Sequence, residues 1–138
     1  MSTEEAIAAY LQQLPTKQAA ELTLLHQRIL AISGPSKLWF LDGKNEEGKV
    51  VSNPNIGYGT CELNYANGSS REFFRVGMCA TKAGLSVYFM GLSDKAYLKN
   101  TYGNALGKAK ITGYCMSFKS LGDIDLSVLQ DAIRQALT

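Results

Sequence analysis

The chain has 138 residues and 15.0 kDa, of which 46% are hydrophobic and 19% charged, with 14 Lys and Arg against 12 Asp and Glu. That is the size of one domain able to bury roughly two thirds of its unfolded surface, so neither disulfides nor a metal is required for stability. A net charge of +2 lacks the basic excess of a dedicated nucleic-acid domain, and the acidic content is too modest for a disordered acidic tail.

The N-terminal run MSTEEAIAAYLQQL carries two glutamates and no basic residue, which argues against a signal peptide, and nowhere do eighteen apolar residues follow one another, so no membrane span is expected. Cys61, Cys79 and Cys115 form no CxxC pair and leave one odd thiol, which suits a reducing cytoplasm better than a disulfide scaffold. The sequon Asn67-Gly68-Ser69 then reads as a turn. The whole chain, 1–138, is read as a single domain.

Ser2-Thr3-Glu4-Glu5 offers a capping box, in which hydroxyl and carboxylate satisfy each other's free backbone N–H groups, and Ile7, Tyr10, Leu11 and Leu14 continue at helical spacing until Pro15. Thr16 is placed to cap a second helix whose apolar face is Leu22, Leu25, Ile29, Leu30 and Ile32, stopped by Ser33-Gly34-Pro35. Leu38 to Leu41 reads as a strand, and the polar stretch from Lys44 to Asn55 as a surface loop. A three-stranded meander follows: Ile56 to Tyr65, Glu72 to Cys79 and Leu85 to Met90, turning at Asn67-Gly68 and at Lys82-Ala83-Gly84. Asp94 opens a short helix ended at Gly103, Tyr114 to Lys119 alternates as a strand, and Asp125 caps a last helix with Val128, Leu129, Ile133 and Leu137 as its core stripe. Helices at both ends, consecutive strands between them and no βαβ alternation predict an α+β fold: an antiparallel sheet with the N- and C-terminal helices packed on one face.

The chemistry is sparse. His26 is the only histidine and lies beside the Leu22, Leu25 and Ile29 face, so every general-base role would fall to it, and it reads first as a structural residue. The cysteines stand eighteen and thirty-six residues apart, against the short paired spacing of structural zinc. Gly103-Asn-Ala-Leu-Gly107-Lys108 is one residue short of a phosphate loop, lacks the following hydroxyl and comes after a helix, so that reading is rejected. Lys95, Lys99, Lys108, Lys110 and Lys119 form a local basic excess, read as a solvated face.

The meander carries a subtler pattern. With the first hairpin centred on Gly68 and the second on Ala83, Gly57 opposes Cys79, Gly59 opposes Gly77, Cys61 opposes Arg75, Cys79 opposes Val87 and Gly77 opposes Phe89, which puts a row of glycines on one face. Glycines in strands mark close approach by another backbone, a large side chain or a ligand. The ligand version is a groove floored by Gly57, Gly59 and Gly77, with Arg75, Lys82 and Lys108 available to an anionic group; the other version is a packed helix or aromatic ring.

Ile56-Gly57-Tyr58-Gly59, Tyr65-Ala66-Asn67-Gly68, Val76 to Lys82 and Leu85 to Met90, followed by Leu106 to Lys110, Gly113-Tyr114-Cys115 and Lys119 to Leu126, resemble in order the YdhG-like family. This is a domain of unknown function that includes frataxin-like iron chaperones, and the likeness runs from about Leu11 to Ala136. It departs at Tyr114, where the family has a lysine. The resemblance implies an α+β sandwich and no established catalytic residues. An iron carrier of this type holds its cargo on clustered surface carboxylates, for which Glu4, Glu5 and Glu21 are the candidates. The reading reached is a cytoplasmic, non-catalytic domain without cofactor that binds a small, anionic ligand or associates with itself as a homodimer, with no nucleic-acid or membrane partner. Iron binding is one alternative. An enzyme using Cys79 or Cys115, activated near Arg75, Lys82 or His26, is the other.

Overall fold

The local signals at the chain's two ends become helices. In the computed structural model, which describes residues 1–34 and 36–138, α1 (Thr3–Gln13) starts at a complete Ser2/Glu5 capping box and α2 (Thr16–Ser33) ends at Gly34, whose φ of 60° and N–H bond to Leu30 O close the helix. Pro35, expected to bar continuation, lies outside the described residues. Thr16 is the first helical residue and not the cap; that position is taken by Pro15, with no side-chain hydrogen bond. At the far end α4 (Leu126–Leu137) starts where Asp125 accepts from Ser127 N–H, as its sequence announces.

Between them lie β1 (Leu38–Leu41), β2 (Asn55–Tyr58), β3 (Cys61–Asn64), β4 (Ser70–Phe73), β5 (Val76–Thr81), β6 (Gly84–Phe89), the short α3 (Tyr97–Tyr102), β7 (Lys110–Ile111), β8 (Cys115–Phe118) and a 3-10 turn at Leu121–Asp123. The fold is α+β. A six-stranded sheet runs β1-β2-β5-β6-β8-β7, antiparallel throughout, and β3 with β4 forms a separate two-stranded sheet. Ile56, Tyr58, Val76, Met78, Val87, Phe89 and Met116 alternate onto the face that carries the core, where they join Tyr10, Leu22, Leu25, Ile29, Leu129 and Ile133 from α1, α2 and α4. No helix among the described residues is long and apolar enough to cross a membrane.

The meander differs from expectation in two ways, and both bear on function. Its two long strands break, at Gly59-Thr60 and at Phe74-Arg75, so the distal half of the hairpin leaves the main sheet as β3–β4. Gly59 has φ +70°, a conformation that side chains resist, and across from it Tyr58 O accepts from Arg75 N–H at 3.1 Å while Val76 is its ladder partner, a bulge of two residues against one. The registers also shift. The first hairpin centres on Asn67, so Gly57 opposes Gly77 and Cys61 opposes Phe73; the second closes in a two-residue turn at Lys82-Ala83, so Gly77 opposes Tyr88 and Cys79 opposes Ser86. A one-residue change of register exchanges faces, which is why Val87 and Phe89 point to the core and Tyr88 and Ser86 to the other side.

Two of the three glycines, Gly57 and Gly77, share a face as a cross-strand pair, Gly59 does not join them, and a ring fills the space over the pair. Phe74, 4% exposed, lies across Gly57 and Gly77: a Cβ at Gly57 would sit 2.7 Å from Phe74 Cβ, and one at Gly77 2.6 Å from its Cζ. Phe73 stacks beside it at 4.2 Å between centroids and meets Trp39 at 6.0 Å. This corrects the glycine-floored groove: the close approach that glycine permits is made by an aromatic side chain from the bent hairpin, and no ligand space remains there. Gly77→Ala should cost about 1–3 kcal/mol in chemical denaturation through this overlap. Most of that cost should vanish in a Phe74→Leu background, a coupling that a double-mutant cycle measures.

Candidate functional site

The same break in the hairpin fixes Arg75. Its N–H donates to Tyr58 O, its carbonyl accepts from Met90 N–H at 2.8 Å, and its guanidinium Nη1 donates to Met90 O at 3.2 Å. Gly91, with φ +77°, gives the guanidinium room, because a Cβ there would lie 2.8 Å from Arg75 Nη1 and 3.1 Å from Cys61 Sγ. Gly59 does the same for the last helix, since a Cβ on it would lie 2.9 Å from Leu137 Cδ2. Bend, arginine and the end of α4 thus meet at one end of the sheet.

A cavity of about 340 Å³ opens at this junction, lined by Arg75, Phe89, Leu92, Ser93, Asp94, Tyr97, Ala132, Gln135, Ala136 and Thr138. Phe89, Leu92, Ala132 and Ala136 make an apolar floor, while Arg75, Ser93, Asp94 and Gln135 bring polar groups to it. Asp94 already accepts from Ala96 N–H at 2.9 Å, and among the described residues Arg75 forms no ion pair with any carboxylate. At the cavity wall the Tyr97 hydroxyl lies 3.3 Å from that of Tyr102; burial foremost, with the Tyr97 hydrogen bond, pushes the Tyr102 phenol well above its usual range and keeps it protonated.

The other expected groups are dispersed. Lys82 sits in the β5–β6 turn, at the opposite end of β5 from Arg75, and Lys108 lines an open trough with Lys110 and Lys119 near that same turn. Gly57 and Gly77 lie under Phe74, and Gly59 under Leu137. Of the six groove residues Arg75 lines the cavity at the bend, and Lys108 a more open trough whose walls include Leu85 and Phe118. Gly91, Tyr97 and Gln135 were not singled out from sequence, though Met90-Gly91 after an apolar run is a turn signal that marks where the strand must end.

The carboxylates are occupied separately. Glu5 closes the α1 capping box, which holds its carboxyl below the ordinary range, and Glu21 accepts from Leu121 N–H at 2.7 Å; Glu4 is exposed on α1. No three His, Cys, Asp or Glu side chains among the described residues gather where they could hold an ion, so Glu4, Glu5 and Glu21 do not form the expected metal cluster.

The thiols are all free and buried. Burial pushes Cys79 and Cys61 up, and Arg75 only partly offsets this at Cys61, which is the opposite of what activates a nucleophile. It is Cys61 that approaches Arg75, and not Cys79, whose sulfur lies 3.9 Å from the Tyr88 hydroxyl. His26 is half-buried and its Nδ1 lies 2.6 Å from the hydroxyl of the fully buried Tyr58; burial lowers the imidazole and raises the phenol, so a neutral pair spans α2 and β2. Comparison with family models, with curated proteins and with solved structures finds no match.

His26 yields a pH prediction. Its folded pKa lies below the ordinary 6.5, so the unfolded chain takes up the proton first, and the stability the pair provides is complete above about pH 6.5 and is lost as pH falls below it. Denaturation midpoints between pH 6.5 and pH 5 should fall with a slope of at most about 1.4 kcal/mol per pH unit in the parent protein. In His26→Gln that slope should disappear.

Proposed function

We propose that this chain is a non-catalytic binding module for a small molecule that joins an anionic group, carboxylate or phosphate, to an apolar body. The single observation that carries the reading is Arg75, a half-buried guanidinium that lines a mixed apolar and polar cavity and whose side-chain partner is the Met90 carbonyl. A guanidinium has five donors in a fixed fork; one bond to a carbonyl leaves the others for the planar, two-point recognition that carboxylates and phosphates satisfy. Phe89, Leu92, Ala132 and Ala136 then supply the contact for the apolar portion, and Ser93 and Gln135 the orientation. About 340 Å³ suits a ligand of one ring or a short chain with its charged group.

The order of motifs supports assigning the chain to the YdhG-like domains, and its three unpaired thiols support a cytoplasmic setting. Within that assignment the ligand-binding reading is favoured over iron carriage, because the cavity wall carries the Arg75 guanidinium with a single side-chain carboxylate, Asp94, which already accepts from Ala96 N–H, and among the described residues no three metal-ligating side chains gather. The raised Cys79 thiol likewise favours binding over catalysis by that cysteine.

Phenylacetate and phenyl phosphate, matched against neutral phenylethanol, test this in calorimetry and thermal shift. At a hundredfold excess over Kd a bound anion should stabilise the fold by about 2.7 kcal/mol, and Arg75→Gln should weaken it at least tenfold while Arg75→Lys retains part. Equal binding of the neutral compound, or an unaffected Arg75→Gln variant, would refute the assignment.

A further inference from the structure

The two edges of the six-stranded sheet are treated differently. The β7 edge is two residues long and begins with Lys110, the kind of short, charged border that discourages strand addition. The β1 edge is Leu38-Trp39-Phe40-Leu41, four apolar residues without proline, bulge or charge. Gly59 N–H donates to Lys37 O, so Lys37, and by alternation Trp39 and Leu41, bond inward to β2, while the N–H and C=O groups of Leu38 and Phe40 point away from the sheet. Among the described residues nothing donates to or accepts from those four outward groups.

From this edge we infer that the chain dimerises by antiparallel pairing of β1 with β1 of a second copy, which goes beyond ligand binding at Arg75. The occupant follows from the register. Centred on Trp39, the pairing sets Leu38 against Phe40 of the partner subunit and Phe40 against the partner's Leu38, so each pair exchanges two N–H···O bonds and all four outward groups of each chain are satisfied at once. The match is self-complementary, as a two-fold interface requires, and it needs no more strand than β1 possesses. It joins two six-stranded sheets into one of twelve. Val50 and Val51, 66% and 62% exposed, share open cavities with Phe40 beside this edge, and a second copy seated there would cover apolar surface that otherwise faces water.

Trp39 against its own copy is a non-hydrogen-bonded pair, with Cβ atoms about 4.5–5.5 Å apart, where like charges repel and unlike charges attract. Light scattering should give twice the 15.0 kDa chain mass for the parent protein at high concentration. Trp39→Lys and Trp39→Asp should each give the single mass, and their equimolar mixture should restore the doubled one. Amide exchange supplies a readout without substitution: the Leu38 and Phe40 amides should slow at least tenfold between dilute and concentrated parent protein, while Trp39 and Leu41 amides stay protected in both. A single mass up to millimolar concentration overturns the proposal. So does a dimer in which the Leu38 and Phe40 amides still exchange freely, since it must use another surface.

Discussion

Phe74 on its two glycines is the contact on which the rest of the architecture turns. An antiparallel sheet with helices on one face leaves the other face with nothing to bury it, and here the long hairpin answers that by folding its own far half back. Gly59 and the bulge at Arg75 make the bend; Gly57 and Gly77, opposite each other in the ladder, remove the two Cβ atoms that would hold the ring off. Burying a phenylalanine contributes about 1.5–3 kcal/mol, comparable to the cost of placing glycines in strands, so neither feature makes sense without the other.

From that bend the candidate site follows. Where the strand leaves the sheet, Arg75 is no longer a ladder residue with its side chain committed to a face; its backbone is bonded to Tyr58 and Met90, and its guanidinium lies over Gly91. The end of α4 packs on Gly59 at the same point. A cation is thereby held at the mouth of an apolar hollow by bonds to Tyr58 and Met90, an arrangement that fixes its direction before any ligand arrives. The opposite end of the sheet, with Lys82 and Lys108, offers charge without such enclosure.

Local sequence carried much of the fold. The Ser2/Glu5 box, the Asp125 cap, Gly34 and the turn at Asn67-Gly68 act within a few residues of themselves, and each does what its chemistry requires. The 3.6-residue stripes of α2 and α4 named Leu22, Leu25, Ile29, Leu129 and Ile133, and the alternation of β8 named Met116 and Phe118, all of them buried. Less legible were β7, only two residues long, and the breaks inside the meander, where the apolar pattern continues through Gly59 and Phe74 as though the strands did.

The sequence by itself therefore determined the α+β class and the helices at the two chain ends with the caps of the first and last, whereas the expected caps Thr16 and Asp94 gave way to Pro15 and Ala96. It also determined the presence of glycines that demand a close neighbour. Only the tertiary structure decided which neighbour, because a hairpin closing at two residues instead of three reverses which side chains share a face, and burial across the whole sheet selects between them. The contacts of Tyr58 with His26, Phe74 with Gly77 and Arg75 with the α4 cavity join segments far apart in the chain. No local preference encodes such pairs; they exist once helices and sheet are packed together.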